Sequence, residues 1–558
     1  MSLTHAPAPA LSACEDPAPG AGRRRWAFWR SPAGQPPWAR PALLGIAALA
    51  ALLYAWNITR AGLAPFYSVA VKSMSESWKA FFYGAFDPKA TITIDKLAGS
   101  FLPQALSARI FGFHPWSLAL PQVIEGVVSV LVMYRVVRRW AGVVPGLLAA
   151  GIFALTPIAA SMFGHSMEDG ALTMCLVLAA DAWQRAVMDA RLRSLVWAGV
   201  WVGLGFQAKM LQAWIILPAL AFGLIWRGRA GRTDRVRGGL IMWGTWLLTF
   251  GLVYSEMSNI PHTAYMASLA PPIAALSGAG IVLFWRWYRS GDPRWWVLPL
   301  AVAAELGWAA HLWSGYPAFL PWVRQAAIAV GVAVIVVLVV ARLSRRARFV
   351  TTGLVTAGLA AAVAAMLAAP ATWASSVLDA RYAGSSFDAS AGPAGGFGFG
   401  TGPGGPGAGN GQGPGGGILA TATTTLSQGD QQLYDYLSAH RDGAGYLMAA
   451  QSWSVAAPFI LATGQEVMPM GGFSGSVPEP TLARVRQLAG SGQLRFFLLG
   501  GAGFGPGGLG GGAGGPSQVE QIISWVEDTC SVVPAQAYGA TTGTTGTAGT
   551  LYECRTSA

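Results

Sequence analysis

The chain has 558 residues, 53% of them hydrophobic and only 11% charged, with 24 Trp and a mean hydropathy of +0.44. Soluble domains carry about 25% charged residues, so this composition excludes an ordinary soluble protein and reads as a polytopic membrane protein. The formal net charge of +12 does not point to nucleic acid, because the Arg residues cluster between apolar segments as topology signals do.

Residues 1–40 are rich in Pro and Ala and carry a basic cluster at Arg23, Arg24, Arg25 and Arg30. No small-residue cleavage site follows a short apolar core there, so the segment is expected to be a disordered cytoplasmic tail. Apolar stretches near the roughly 20 residues needed to cross a bilayer then recur at 41–58, 117–136, 142–163, 170–188, 194–208, 211–227, 238–255, 267–287, 295–313, 321–341 and 350–369. Arg135, Arg138 and Arg139 follow the second of these; Arg185, Arg191 and Arg193 the fourth; Arg227 to Arg237 the sixth; Arg286, Arg289 and Arg294 the eighth; Arg342 to Arg348 the tenth. Every second connection is basic. The alternation predicts about eleven spans, with the N-terminus cytoplasmic and the C-terminus outside.

The transmembrane region therefore covers 41–370 and includes a long first outer loop, 59–116. Aromatic and apolar positions from Phe66 through Trp78, Phe81 and Phe82 recur at helical spacing, which predicts a helix lying along the interface. A helix merely packed on the bundle has the same pattern. Residues 371–427, almost wholly Gly, Ala, Ser and Pro over 383–417, read as a flexible linker. Residues 428–558 alternate helical (431–440, 481–488, 519–528) and extended (445–449, 494–499) patterns, which predicts a small extracytoplasmic α/β domain. The fold class expected is thus an α-helical polytopic membrane protein with a small C-terminal α/β domain. A second Gly-rich run at 500–516 contains GAGFGPGG, but it has no helix start after it and is not read as a nucleotide site.

The ionisable groups expected on the outer side are few. They are Asp87, Lys89, Asp95 and Lys96 in the first loop, then His165, Glu168, Asp169, Lys209, Glu256, His262 and His311, with Tyr265 and Tyr316 beside them. Asp95-Lys96 in TITIDKLAGSFLPQ sets an acid–base group next to a phosphate-binding cation, though two adjacent loop charges taken alone read better as a solvated pair. Lys209 has apolar sequence on both sides, and a lysine at that depth requires a partner or ligand or snorkels to the headgroups. Glu168 and Asp169 open a span, where the helix dipole alone favours them. Glu125 and Glu305 lie inside spans, as functional groups or buried hydrogen-bond partners. His165 and His262 match no compact ligand spacing, so no metal is expected. Cys530 and Cys554 can pair if the C-terminal domain is extracytoplasmic.

In order along the chain, FYSVAV, TIDK, SARIFGFHPWS, SMFGHSMEDGAL, GFQAKMLQAW and PHTAYMASLAPPIAAL, with LMAAQSWSVAAPFILATGQEVMPMGGFSGS further on, resemble the lipid-linked-sugar glycosyltransferases of the GT-C fold. That family includes protein mannosyltransferases and aminoarabinose transferases; the likeness is to its bacterial branch with a C-terminal extracytoplasmic domain. The resemblance implies a glycosyltransferase of the bacterial plasma membrane. It would move a sugar from a polyprenyl phosphate carrier to a cell-wall glycan or protein acceptor on the outer face, with membrane lipids as its other partners and no cofactor. Asp95 and Lys96 match the first two positions of the family's acidic-Lys-Pro-Pro motif; here Leu97-Ala98 stands in place of Pro-Pro. By the same resemblance Lys96 and Lys209 face the carrier phosphate and Asp95 and Asp169 are catalytic. Tyr67, Asp87, His165, Glu168, His262 and Tyr265 would line the substrate cavity. Ser166-Met167-Glu168 stands where the branch often has Asn-Asn-Pro. The rival reading is a non-catalytic relative that binds lipid-linked sugar or a cell-wall partner. A transporter is disfavoured by the lack of internal repeats.

Overall fold

The computed structural model describes residues 29–222, 235–257, 263–343, 352–386, 389–393, 422–500, 517–539 and 549–554. Most of the expected tail, most of the expected linker, the second Gly-rich run and His262 lie outside the described residues.

Among the described residues, eight helices are long and apolar enough to cross a membrane. The described part of each expected span nonetheless falls mainly on helix. Helix α1 (Ala39–Ala55) is followed by the first loop, then by α5 (Pro115–Ala141). The expected span 142–163 is two short helices, α6 (Val143–Ala154) and α7 (Pro157–Met162). The break precedes Pro157, which has no N–H to continue the ladder. Helix α8 (Asp169–Asp189) returns across the bundle. The expected spans 194–208 and 211–227 form one helical stretch, Leu192–Phe222. It comprises α9 (Leu192–Lys209) and a 3₁₀ segment, Met210–Ile216. Helices Arg235–Glu256, Ala270–Ser290, Val297–Ser314, Pro321–Leu343 and Thr352–Ser375 complete the bundle. Val297–Ser314 carries Glu305 and His311 and is not among the eight.

The two ends of the bundle differ in charge. Toward its C-terminus α8 carries Asp181, wholly buried, whose carboxylate pairs with Arg135 and Arg139 of α5 at 2.6 and 2.7 Å and with Arg185 at 2.9 Å. At its N-terminus it carries Asp169. Twelve residues at 1.5 Å rise separate these carboxylates by about 18 Å.

The first loop is built on α2 (Tyr67–Glu76), α3 (Trp78–Tyr83) and α4 (Phe101–Phe111). The single helix expected through Phe82 is broken at Ser77, whose backbone is extended and whose hydroxyl caps α3 by accepting from Ala80 N–H. Ser favours this because its oxygen replaces a missing backbone acceptor at a helix start. Gly84, at φ +61°, closes α3. Trp78, Phe82 and Tyr83 are 62, 81 and 60% exposed, an aromatic face of the kind that sits at headgroup level.

Between α3 and α4 the chain doubles back. Phe86 N–H donates to Ile92 O and Ile94 N–H to Gly84 O, and Ala85 bridges Thr93. Lys89 sits at the tip of this loop and Asp95-Lys96 at its base.

The C-terminal domain is a five-stranded sheet in the order β2-β1-β3-β5-β4. Strands β1 (Met448–Ala450), β2 (Val467–Pro469) and β3 (Phe496–Leu499) are parallel, and β5 (Thr550–Glu553) runs antiparallel to β3 and to β4 (Ser531–Val532). Helices Gln428–Ala439, Trp453–Thr463, Leu482–Gly490 and Gln518–Thr529 cover it. The three parallel strands β1, β2 and β3 are buried, as parallel strands under helices are, while the antiparallel edge strand β4 is exposed. One hydrophobic core joins this domain to the first loop. Phe66 lies 4.9 Å from Phe86, 5.2 Å from Trp453 and 4.8 Å from Phe473, ring centre to ring centre. The segment after the last span folds back as well: Ser161 Oγ donates to Ala383 O (2.6 Å), and Ser386 Oγ to Ala61 O (3.1 Å).

Candidate active site

Three chain segments converge where α8 begins. The first loop brings Asp95 and Lys96, α8 brings Glu168 and Asp169, and α9 ends on Lys209. The loop and α9 are joined by backbone: Gly99 N–H donates to Gln207 O at 3.1 Å. A Cβ on residue 99 would lie 2.7 Å from the Gln207 backbone, so the approach requires glycine there. Helix α9 then turns sharply at Met210, φ +45°, which leaves Lys209 at the helix end aimed across at α8.

Lys209 Nζ donates to both oxygens of Asp169 at 2.6 Å and lies 3.5 Å from Glu168 Oε1. It also sits over the Tyr265 ring, 3.9 Å from its centre. Lys96 Nζ donates to the same Glu168 Oε1 at 2.9 Å and lies 4.3 Å over the Tyr67 ring. Tyr67 OH in turn donates to Asp95 Oδ2 at 3.3 Å, and its ring stacks on Phe101 at 4.9 Å. Glu168, Asp169 and Lys209 are 6, 2 and 8% exposed. Desolvating charges costs several kcal/mol each, so buried ion clusters are weak stabilisers. A buried cluster of this kind therefore marks a candidate for chemistry rather than a source of stability.

The ionisation of the loop groups follows from their surroundings. Burial alone would depress Lys96, but the Glu168 carboxylate and the Tyr67 ring oxygen outweigh it, and the ammonium is held above its ordinary value. Asp95 is raised, chiefly because surrounding protein weakens the hydration of its carboxylate; Lys96 and the Tyr67 hydroxyl oppose the rise. The residue itself is exposed, so solvent limits that rise. Burial also raises Tyr67, which keeps its proton.

The structure thus gathers Tyr67, Asp95, Lys96, Glu168, Asp169, Lys209 and Tyr265. Asp87 is not among them. Its buried carboxylate accepts from Thr91 N–H and Ile92 N–H at 2.9 and 3.0 Å and so braces the doubled-back loop. His165 is buried, with Nδ1 2.7 Å from Ser161 O. Cys530 and Cys554 are disulfide-bonded, joining the end of helix Gln518–Thr529 to the end of β5. Among the described residues no group of three or more His, Cys, Asp or Glu could hold a metal ion. The sequence reading missed Gly99 and Gln207; a glycine four residues after Asp95 was the one available signal.

Residues 99–253 match the family model described as dolichyl-phosphate-mannose-protein mannosyltransferase, and residues 433–529 the one described as putative mannosyltransferase YkcB-like, C-terminal. The putative mannosyltransferase YycA of Bacillus subtilis is 37% identical over 36% of this chain and 29% of its own length. An undecaprenyl phosphate-alpha-4-amino-4-deoxy-L-arabinose arabinosyl transferase of Pseudomonas fluorescens is 28% identical over 37% of this chain and 35% of its own. The matched stretch thus spans about a third of these relatives. ArnT of Cupriavidus metallidurans in the apo state aligns over 93% of this chain and 99% of its own at 12% identity, with a TM-score of 0.47. The resemblance to GT-C glycosyltransferases is borne out in two separate parts of the chain, one in the membrane region and one in the C-terminal domain.

Proposed function

We propose that this membrane glycosyltransferase moves a sugar from a polyprenyl phosphate carrier to a cell-envelope acceptor at the outer membrane face. The N-terminus would lie in the cytoplasm and the C-terminal domain outside, an orientation in keeping with its disulfide. The observation that carries the reading is the meeting of Lys96 and Lys209 on Glu168 Oε1, at 2.9 and 3.5 Å. Two ammonium groups that share one anionic oxygen are spaced to share a phosphate oxygen. The carrier phosphate would displace Glu168 and take its place between them.

In the transfer, the bond between the sugar's anomeric carbon and the phosphate oxygen breaks, and its electron pair leaves on the phosphate. Positioned cations stabilise that developing charge. The acceptor oxygen forms the new bond and gives its proton to a carboxylate. Asp95 suits this role better than Asp169. It is exposed to an incoming acceptor, whereas Asp169 is buried and held on both oxygens by Lys209. Asp169 then positions Lys209.

Purified protein in detergent, given radiolabelled polyprenyl-phosphate sugars and envelope acceptors, should transfer label, and Lys96→Ala should not. Carrier binding without turnover in the wild type would replace this reading with that of a non-catalytic binder.

A further inference from the structure

A second polar site lies at the tip of the doubled-back loop, away from the lysine pair. There the first loop and the C-terminal domain enclose an open cleft of about 570 Å³, within the range of small-ligand sites. Lys79 and Lys89 stand on the loop side and Arg484 on the domain side. Among the described residues none of the three forms an ion pair, whereas Lys96 and Lys209 are neutralised by carboxylates.

The two lysines are nonetheless held in place. Lys79 Nζ donates to Lys89 O at 3.1 Å, and Lys89 Nζ lies 4.6 Å over the Tyr446 ring. A Cβ on residue 445 would lie 2.7 Å from Lys89 Nζ, so Gly445 makes room for the ammonium. Tyr446 OH and Thr91 Oγ1 are 3.3 Å apart, fastening ring to loop. Positive charge fixed in an open cleft selects an anion.

The rest of the lining selects hydroxyls. Gln487, Ser491 and Gln493 contribute amide and hydroxyl groups. Glu466 contributes a carboxylate whose Oε2 has no hydrogen-bond partner among the described residues. An ionised phosphodiester or carboxylate group has no donor for that oxygen, and a sugar hydroxyl does. The walls offer little apolar surface for an acyl chain. A ligand that carries both an anionic group and donor hydroxyls is an anionic saccharide.

We infer that the cleft between Lys79, Lys89, Tyr446, Glu466 and Arg484 binds an anionic glycan, held by its charged group at the cations and by its hydroxyls at the amides and Glu466. Lys89 and Lys96 are seven residues apart, so their Cα atoms lie within about 25 Å even on extended chain. A glycan held at the tip is therefore kept within about 25 Å of the Asp95-Lys96 pair, a distance that a chain of several sugars spans. Its service as acceptor rests on the transferase reading; the binding itself does not.

The test is direct binding to the full-length protein in neutral detergent, with three probes: an oligogalacturonate, a glycerol-phosphate oligomer and a neutral malto-oligosaccharide of equal length. At least one anionic probe should bind about tenfold or more tighter than the neutral one. The gain should vanish in Lys89→Ala/Arg484→Ala, return in Lys89→Arg/Arg484→Lys, and persist in Lys96→Ala. Equal binding of the neutral probe, or anionic binding that ignores the Lys89 and Arg484 changes, would overturn the inference. So would a protein that binds none of the three and is retained instead by anionic-lipid nanodiscs. Probe binding without sugar transfer would leave the cleft standing and remove its acceptor role, whereas transfer without probe binding would leave the transferase reading standing and overturn the cleft.

Discussion

Lys96 and Lys209 come from segments more than a hundred residues apart and meet on a single atom, Glu168 Oε1. Without Glu168 the two cations would face one another with no anion between them. With it the cluster is nearly neutral, and on the proposed reading an arriving carrier phosphate would compete with a resident carboxylate. Glu168→Gln should therefore tighten binding of polyprenyl phosphate by about tenfold, worth about 1.4 kcal/mol. Titration of the purified variant would read this directly; weaker binding would mean that Glu168 chiefly holds Lys96 in place.

Lys209 and Asp169 bind each other on both carboxylate oxygens in a buried setting. Breaking such a pair from one side leaves a buried charge and costs about 3–5 kcal/mol. Lys209→Ala should abolish transfer and lower the thermal midpoint. Lys209→Met with Asp169→Asn should recover much of the midpoint and none of the activity. Equal midpoints for the single and double variants would show that the pair carries no such charge penalty.

The pH dependence of transfer should be one-sided across the neutral range. Asp95 is raised above the ordinary carboxylate value, so as a base it is protonated and idle below that value and active above it. Transfer should rise with pH through an acid limb displaced upward from the usual range. Lys96 is raised as well, so it stays charged past its ordinary value of about 10.4 and contributes no loss on the alkaline side below that. A pH profile of kcat/KM tests both, and Asp95→Asn should remove the acid limb along with most of the rate.

Gly99→Ala tests the seam between the loop and α9. The added carbon would sit 2.7 Å from the Gln207 backbone, and one of the two strands of chain must move. Displacements near 1 Å at a reacting centre cost up to about a hundredfold in rate. Transfer should fall by that order while the C-terminal domain keeps its disulfide and its unfolding midpoint.

Cys530 and Cys554 close a stretch with a sequence separation of 24. Loops of this length are stabilised by about 3 kcal/mol. Cys530→Ser should destabilise the C-terminal domain by that amount, and in the wild type neither cysteine should be alkylated before reduction.

Much of the site was legible because charge is scarce in this chain. Asp95, Lys96, Asp169 and Lys209 stand out of apolar or charge-poor sequence, and burying such groups is costly enough that they are seldom incidental. Asp87 stands out equally well, yet its carboxylate is engaged by backbone N–H groups of its own loop. Composition cannot separate a carboxylate that accepts backbone N–H groups from one that faces a ligand. The packing of the C-terminal domain on the first loop was not legible at all. Phe66, Phe86, Trp453 and Phe473 are apolar aromatics in their own segments, and nothing in periodicity names the partner that a buried ring will find. Of the expected spans, eight long apolar helices are found among the described residues. The helices lie where expected, but Pro157 divides one of them, and the Lys209–Met210 turn shares one helical stretch between two.

The Gly99–Gln207 hydrogen bond has a bearing on how the protein is made. The loop with Asp95 and Lys96 leaves the ribosome well before α9, and chains fold broadly from the N-terminus as they are synthesised. Until α8 has been made Lys96 has no Glu168 to pair with, and until residue 209 has emerged it has no α9 to lean on. On the proposed reading a nascent chain would thus keep its two phosphate-facing lysines apart and would not capture a lipid carrier prematurely. The site matures only when the bundle around it has closed.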